Sequence, residues 1–373
     1  MGRIVGFFVG LAVFAAMAWG AAWFGGQALI GQVLQDAITV QARQGVTIRV
    51  QDPTITGAPG TWQLGPTSVD ITVSDPSAPM DLSAQAVTVA ADLLNPLVVA
   101  SDARGVVVEL PPALPIIARP YLSIDTVAAA VGLTIDGFGG GMPRFVDVTA
   151  RDVLLGEDTL RILTAEAARL QLRQRTPVAP AEPVPDDPPG AGDPVAAESA
   201  AGSGADSVLV AADVQALTLP TGLALPLGPV VQEVAAITDW PEPWPTGSTV
   251  PALARWQAAG GTVVVEEARL IWDDFRVIVS GTLQLDADLQ PAGVLEARIV
   301  GLDPILDWAV ATGQVSASNM RAVRFGLQLI SRMGEDGRRV IIAPVVIEDR
   351  QVRLGPLPIA QLPRIAWASV AGR

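Results

Sequence analysis

From Val46 onward the chain alternates apolar and polar residues with period two, and this pattern constrains its fold more than any other feature. Val46-Thr47-Ile48-Arg49-Val50, Ser68-Val69-Asp70-Ile71-Thr72-Val73, Thr88-Val89-Ala90 and Gly105-Val106-Val107-Val108-Glu109-Leu110 place β-branched residues on alternate positions or in short runs. Such stretches read as strands, because successive side chains of a strand point to opposite faces. Gly57-Ala58-Pro59-Gly60, Asp75-Pro76 and Leu110-Pro111-Pro112 separate them at hairpin-like intervals. That spacing predicts antiparallel connections in place of helical crossovers.

The C-terminal half is more explicit. Gly261 to Trp272 reads as a strand, Asp273-Asp274 as a turn, and Phe275 to Asp286 as the return strand, followed by a third strand over Val294 to Val300. Asp303 as N-cap and Pro304 at the first helical position predict a helix to about Ala311 that can run on toward Asn319. Val323, Phe325, Leu327 and Leu329 alternate and predict a strand. Arg339 to Glu348, the two-residue turn Asp349-Arg350 and Gln351 to Leu357 predict a closing hairpin. Pro229 to Trp240 and Val250 to Ala259 read as helical, which puts helices near 229–259 and 303–319.

Residues 176–206 are mainly Pro, Ala, Gly, Asp and Glu and read as a disordered acidic linker. It separates a first β-rich half, 31–175, from a second, 207–373. A weak repeat crosses it: Ser83 to Val89, Thr164 to Leu172 and Ala211 to Leu219 each begin with Ala and polar residues and end in alternation, which favours strands over helix turns. The expected fold class is α+β, strand-dominated: a transmembrane helix, then an exported part with a long, curved antiparallel β-sheet and a few packed helices.

The N-terminal segment supplies the expected address. Arg3 precedes an uncharged run whose most apolar part, Ile4 to Phe24, has about the ~20 residues that a bilayer-spanning helix needs, and Asp36 is the first charge after it. By the positive-inside rule everything beyond this helix is translocated. Phe7, Phe8, Leu11 and Phe14 would lie in the bilayer, and Trp19, Trp23 and Phe24 would suit the headgroup region. Residues 1–30 are therefore an anchor or, since Ala16-Met17-Ala18 fits a small-x-small rule, a cleaved signal segment. Apolar character beyond that site, at Ala21, Ala22, Leu29 and Ile30, favours the anchor; Gln27 to Gln44 would continue it as a helical stalk. The expected location is the inner membrane, single-pass, with the remainder in the periplasm.

Composition narrows the chemistry. The chain has no His, no Cys and no Lys, all 24 basic residues being arginines. Thiolate nucleophiles, imidazole bases, ordinary zinc sites, Schiff bases and Lys-bearing phosphate loops are excluded. A net charge of -14 argues against nucleic-acid partners. Glu266-Glu267 and Asp273-Asp274 are the only acid pairs that suggest hydrolysis. Adjacent strand residues point to opposite faces, however, and paired Asp suits a turn without further purpose. The cluster Gly137, Gly139, Gly140 and Gly141 opens no helix and reads as a turn, and no cofactor is expected. Trp240, Trp244, Trp256, Trp272, Trp308 and Trp367 stand out in a chain with few other aromatics. They read as core packing or, for Trp256, Trp272 and Trp308 above all, as contacts to an apolar ligand or a membrane surface.

The run Phe275 to Asp286 with its Ser280-Gly281-Thr282-Leu283-Gln284-Leu285-Asp286 strand, the Pro291-Ala292-Gly293 turn, Gly301-Leu302, and the closing Val352-Arg353-Leu354-Gly355-Pro356-Leu357-Pro358 resemble the domain-of-unknown-function 2125 family. The resemblance extends over nearly the whole chain, is specific mainly over Gly261 to Pro358, and implies a membrane segment followed by a β-rich exported region. The Gly-Thr-Leu strand is more distantly similar to AsmA-like envelope proteins. That likeness implies a membrane-anchored β-sheet groove concerned with lipid movement or envelope assembly.

The expected function is that of an anchored, non-enzymatic envelope protein. Its partners would be the bilayer and a lipid or other apolar component; the alternatives are an interaction scaffold with an envelope protein partner and a carboxylate-dependent hydrolase.

Overall fold

The computed structural model describes residues 46–365, apart from 52, 57–60, 74–79, 93–94, 111–119, 134–142, 158–159, 176–205, 221, 223–224, 243–249, 314, 335–336 and 356, together with 39 and 42. The expected anchor with Phe7, Phe8, Leu11, Phe14, Trp19, Trp23 and Phe24, most of the stalk, the 176–205 linker, the 137–141 glycines, Trp244 and Trp367 lie outside the described residues. No described helix is long and apolar enough to cross a membrane.

The chain divides into two compact units: the first runs through Leu170 and takes in Val214–Leu223, while the second takes Gln171–Asp213 and continues from Ala224. The first unit is built of strands: β1 (Val46–Val50), β2 (Ile55–Thr56), β3 (Thr61–Val73), β4 (Met80–Asp92), β5 (Asn95–Glu109), β6 (Pro120–Gly132) and β7 (Phe145–Glu157). β8 (Leu160–Arg175) and β9 (Ser207–Thr218) contribute residues to both units. β3 to β7 pair consecutively and antiparallel, with β1 and β2 both on β3. All three repeat copies are strand, within β4, β8 and β9.

One level of this sheet is irregular in four strands at once. Ala84 and Ala86 pair with Val106 and Arg104, these with Ile124 and Thr126, and these in turn with Val153 and Arg151. Gln85, Gly105, Asp125 and Asp152 are left between them as a crease. Gly105 (φ 58°) and Asp152 (φ 52°) are left-handed there. A Cβ on Gly105 would lie 2.7 Å from the movable end of the Gln85 side chain, and the left-handed φ itself favours glycine.

The second unit contains β10 (Val230–Pro241), α1 (Val250–Ala258), β11 (Thr262–Trp272), β12 (Phe275–Leu285), β13 (Pro291–Val300), α2 (Asp303–Ala311), α3 (Ala317–Ile330), β14 (Ser331–Met333), β15 (Arg339–Glu348), β16 (Gln351–Leu354) and β17 (Leu357–Gln361). Antiparallel ladders join β10 to β11, β12 and β13, then β13 to β15, β16 and β17, with β14 also on β15. Phe275, Ala297, Ile299, Ile341 and Ala343 form one apolar sheet face, against which Leu327 of α3 is buried and Ile305 and Leu306 of α2 pack. Turn chemistry sets the hairpins: Asp349 and Arg350 both have positive φ, as a tight two-residue connection requires, and the Asp286 carboxylate accepts from the backbone N–H of Asp288 and Gln290 at 2.8 Å. Gly281, in the strand carrying the family resemblance, has φ 148°, and a Cβ there would lie 2.4 Å from the Val294 carbonyl oxygen.

Three expectations are corrected. Pro229 to Trp240 is not helical: Val230–Pro241 is strand β10, whose backbone pairs with β11 from Glu233↔Ile271 to Asp239↔Val264. Tertiary pairing overrides a local pattern that suits either structure. Val323 to Leu329 is not a strand but part of α3. Met320 and Leu327 are buried and Val323 and Ile330 pack on the core, a spacing of three and four that defines a helix face, while Phe325 is 65% exposed. Asp303 is not the cap; Leu302 holds that position, and Asp303 lies in the first turn where a negative charge favours the helix dipole. That helix stops at Ala311, and α3 follows as a separate helix.

Candidate functional site

The registers of the first unit sort its side chains into two faces, since paired residues of an antiparallel ladder project to the same side. On one face, three rows cross β4, β5, β6 and β7: Val87–Ala103–Val127–Ala150, Val89–Ser101–Ala129–Val148 and Ala91–Val99–Val131–Val146. Leu64 and Trp62 of β3 extend the last two rows through Val89 and Ala91. Except for Ser101 and the larger Leu64 and Trp62 at its β3 edge, this surface is aliphatic and built of small side chains. Apart from the buried Ala150 its members are only half-buried, and the three helices α1, α2 and α3 all belong to the other unit.

The opposite face of the same strands is polar. Ala86–Arg104–Thr126–Arg151 and Thr88–Asp102–Ala128–Thr149 are its two rows nearest the crease. They line a concavity of about 750 Å³, with Gln63 and Pro66 at its border. The sheet is therefore amphipathic across its thickness, with valine on one side and arginine, threonine and aspartate on the other.

The second unit gathers the acids singled out by sequence. Glu266 and Glu267 do not alternate between faces as adjacent strand residues ordinarily do. Val265 pairs with Gly281 and Ala268 with Val279, so both glutamates stand against Ser280 in a β-bulge. Glu266 accepts from Arg175 at 2.7 Å, and Asp239 lies 3.8 Å from the same guanidinium. Glu267 pairs with Arg269, which also reaches Glu233 at 3.3 Å. The hydrogen bond that Arg269 donates to Glu267, and then the charges of Glu267 and Glu233, hold the Arg269 pKa above its ordinary value. Asp274 pairs with Arg338 at 2.9 Å, while Asp273, left-handed at the turn, donates its backbone N–H to Gln232. Each glutamate shares its arginine with a second carboxylate, Asp239 beside Glu266 and Glu233 beside Glu267. Glu266, Glu267 and Asp274 are each engaged by an arginine.

The three tryptophans offered as ligand contacts lie on three elements. Trp256 of α1 is buried, with its ring 6.1 Å from that of Trp240 on β10. Trp272 ends β11, packs on the core of the second unit and donates its indole N–H to the Gly228 carbonyl at 3.1 Å. Trp308 is half-buried on α2. Trp256 and Trp272 both pack within the second unit, and the buried indole nitrogen of Trp256 has no hydrogen-bond partner among the described residues. Sequence reasoning missed Arg104, Arg151 and the aliphatic rows, because residues far apart in the chain are brought onto one face only by the registers.

No curated protein and no solved structure matches the chain. A family model described as an uncharacterized protein conserved in bacteria (DUF2125) matches residues 23–363, and the chain belongs to that family.

Proposed function

We propose that the chain is a single-pass inner-membrane protein with its β-rich part in the periplasm, and that the aliphatic face of the first unit binds lipid or another apolar envelope component. The observation that carries this reading is that face: rows built mainly of valine and alanine across four strands, half-exposed. Each half-exposed valine would gain about 1 kcal/mol on full burial, and an acyl chain lying along the rows would collect several such gains. The address rests on Arg3, the run Ile4 to Phe24 and the positive-inside rule. Mass spectrometry of the protein purified from membranes is expected to find lipid that Val127→Asp or Val148→Asp removes; a lipid-free wild-type protein would refute the reading.

The second reading is an interaction scaffold, favoured by the second unit. Its sheet is filled by its own helices, yet Phe325 and Met333 are 65% and 71% exposed. Crosslinking in membranes would then give one dominant protein adduct, lost in Phe325→Ala.

A further inference from the structure

We propose that the polar concavity of the first unit is a binding site for a phosphate ester that carries free hydroxyls. Arg104 and Arg151 occupy the same row on β5 and β7, separated by Thr126 on β6. Two strand spacings put their Cα atoms about 10 Å apart. Both arginines line the depression, and a tetrahedral anion between them offers oxygens to each guanidinium, which a single carboxylate does less well. Thr88, Thr126 and Thr149 add hydroxyl donors, while Ala86 and Ala128 leave the floor open. A concavity of about 750 Å³ is of small-molecule size.

Two further observations direct this to a ligand. Six other described arginines, among them Arg169, Arg175 and Arg269, hold ion pairs; Arg104 and Arg151, like Arg276 and Arg298 of the second unit, hold none among the described residues, and they differ from that pair in lining a depression together. In a chain with 38 acidic residues to 24 arginines, the described lining of this depression holds two arginines and one carboxylate. Asp102 lies two residues before Arg104 on the same face and is the one carboxylate lining the depression. Asp125 and Asp152 of the adjacent crease are the nearest acids along the chain. A carboxylate beside two guanidiniums repels a bare anion but accepts hydrogen bonds from hydroxyls. That combination selects a glycerol- or sugar-like phosphate ester over inorganic phosphate. Ala103 and Val127 of the first aliphatic row also line the depression, and glycerol 3-phosphate, which has no acyl chain, keeps the test of this site separate from the lipid reading.

The test is titration calorimetry on the full chain in neutral detergent at low salt, with sn-glycerol 3-phosphate and inorganic phosphate as probes. Dihexanoyl phosphatidylglycerol and dihexanoyl phosphatidylcholine serve as the lipid arms. Glycerol 3-phosphate or dihexanoyl phosphatidylglycerol is expected to bind, with at least tenfold weaker binding in R104Q/R151Q and no change in R276Q/R298Q of the second unit. Tighter binding of glycerol 3-phosphate identifies a free ester; tighter binding of the short-chain phosphatidylglycerol, with phosphatidylcholine inert, identifies a headgroup. D102N should weaken the hydroxylated probe and not inorganic phosphate. Both arginines are exposed, so the double variant should keep the wild-type melting temperature; R151Q alone serves as a second variant. Absence of binding by every probe, or equal binding to wild type and R104Q/R151Q, overturns the proposal.

Discussion

The two units solve the same problem in opposite ways. Each has an antiparallel sheet with an apolar face, and an apolar face left in water forfeits its hydrophobic stabilisation. The second unit covers its own with α2 and α3 and uses large side chains, so that Phe275, Ile299 and Ile341 are buried. The first unit uses valine and alanine, which remain half-exposed along the described rows. Large side chains fit where a covering layer is built in. Small ones leave less apolar area in water on a face that stays half-exposed.

Substitutions can break this comparison. Phe275→Ala should have the largest effect, about 3–5 kcal/mol in denaturant unfolding, because it empties a closed core. Val127→Ala on the first unit should cost about 1 kcal/mol, since half of that side chain is already in water. Equal losses would mean that the two faces are equally covered and would remove the contrast. Gly281→Ala should follow Phe275→Ala closely, at about 3 kcal/mol, because the new Cβ meets the Val294 carbonyl and the dihedral disfavours any side chain. Val148→Asp sharpens the comparison from the other side: about 1 kcal/mol lost in unfolding, yet retained lipid abolished in mass spectrometry. Arg269→Gln should be smallest, within about 1 kcal/mol in the same unfolding measurement, because its ion pairs with Glu267 and Glu233 are partly exposed and screened by solvent.

The sequence makes the second unit's meander legible because its turns are chemically distinctive. Asp273-Asp274, Asp286 and Asp349-Arg350 each do what short polar residues do at a hairpin, and β11, β12, β13, β15 and β16 follow from the alternation between them. α3 escapes notice because Val323, Phe325, Leu327 and Leu329 alternate by coincidence. The residues that pack in fact are Met320, Val323, Leu327 and Ile330. In the first unit the strands are legible and the faces are not. Across the crease the apolar positions lie three apart, as in Ala84 and Val87, Ala103 and Val106, Ile124 and Val127, and Ala150 and Val153. Period two therefore fails once, at the same level in each strand. Gly105 gives a hint of this, but Asp152, left-handed without being glycine, gives none. The polar concavity has no local signature, since Arg104 and Arg151 are joined only through Thr126 on the strand between them.

The bulge at Glu266–Glu267 has a consequence for how β11 can change. Val263 and Val265 pair with Leu283 and Gly281, while Leu270 and Trp272 pair with Val277 and Phe275, so odd and even positions of one strand serve a single covered face. The strand is in effect written in two phases, and the extra glutamate joins them. Deleting either glutamate would leave every side chain in place chemically and yet turn half of the strand inside out. A neutral substitution at these positions is tolerable; a change in their number is not.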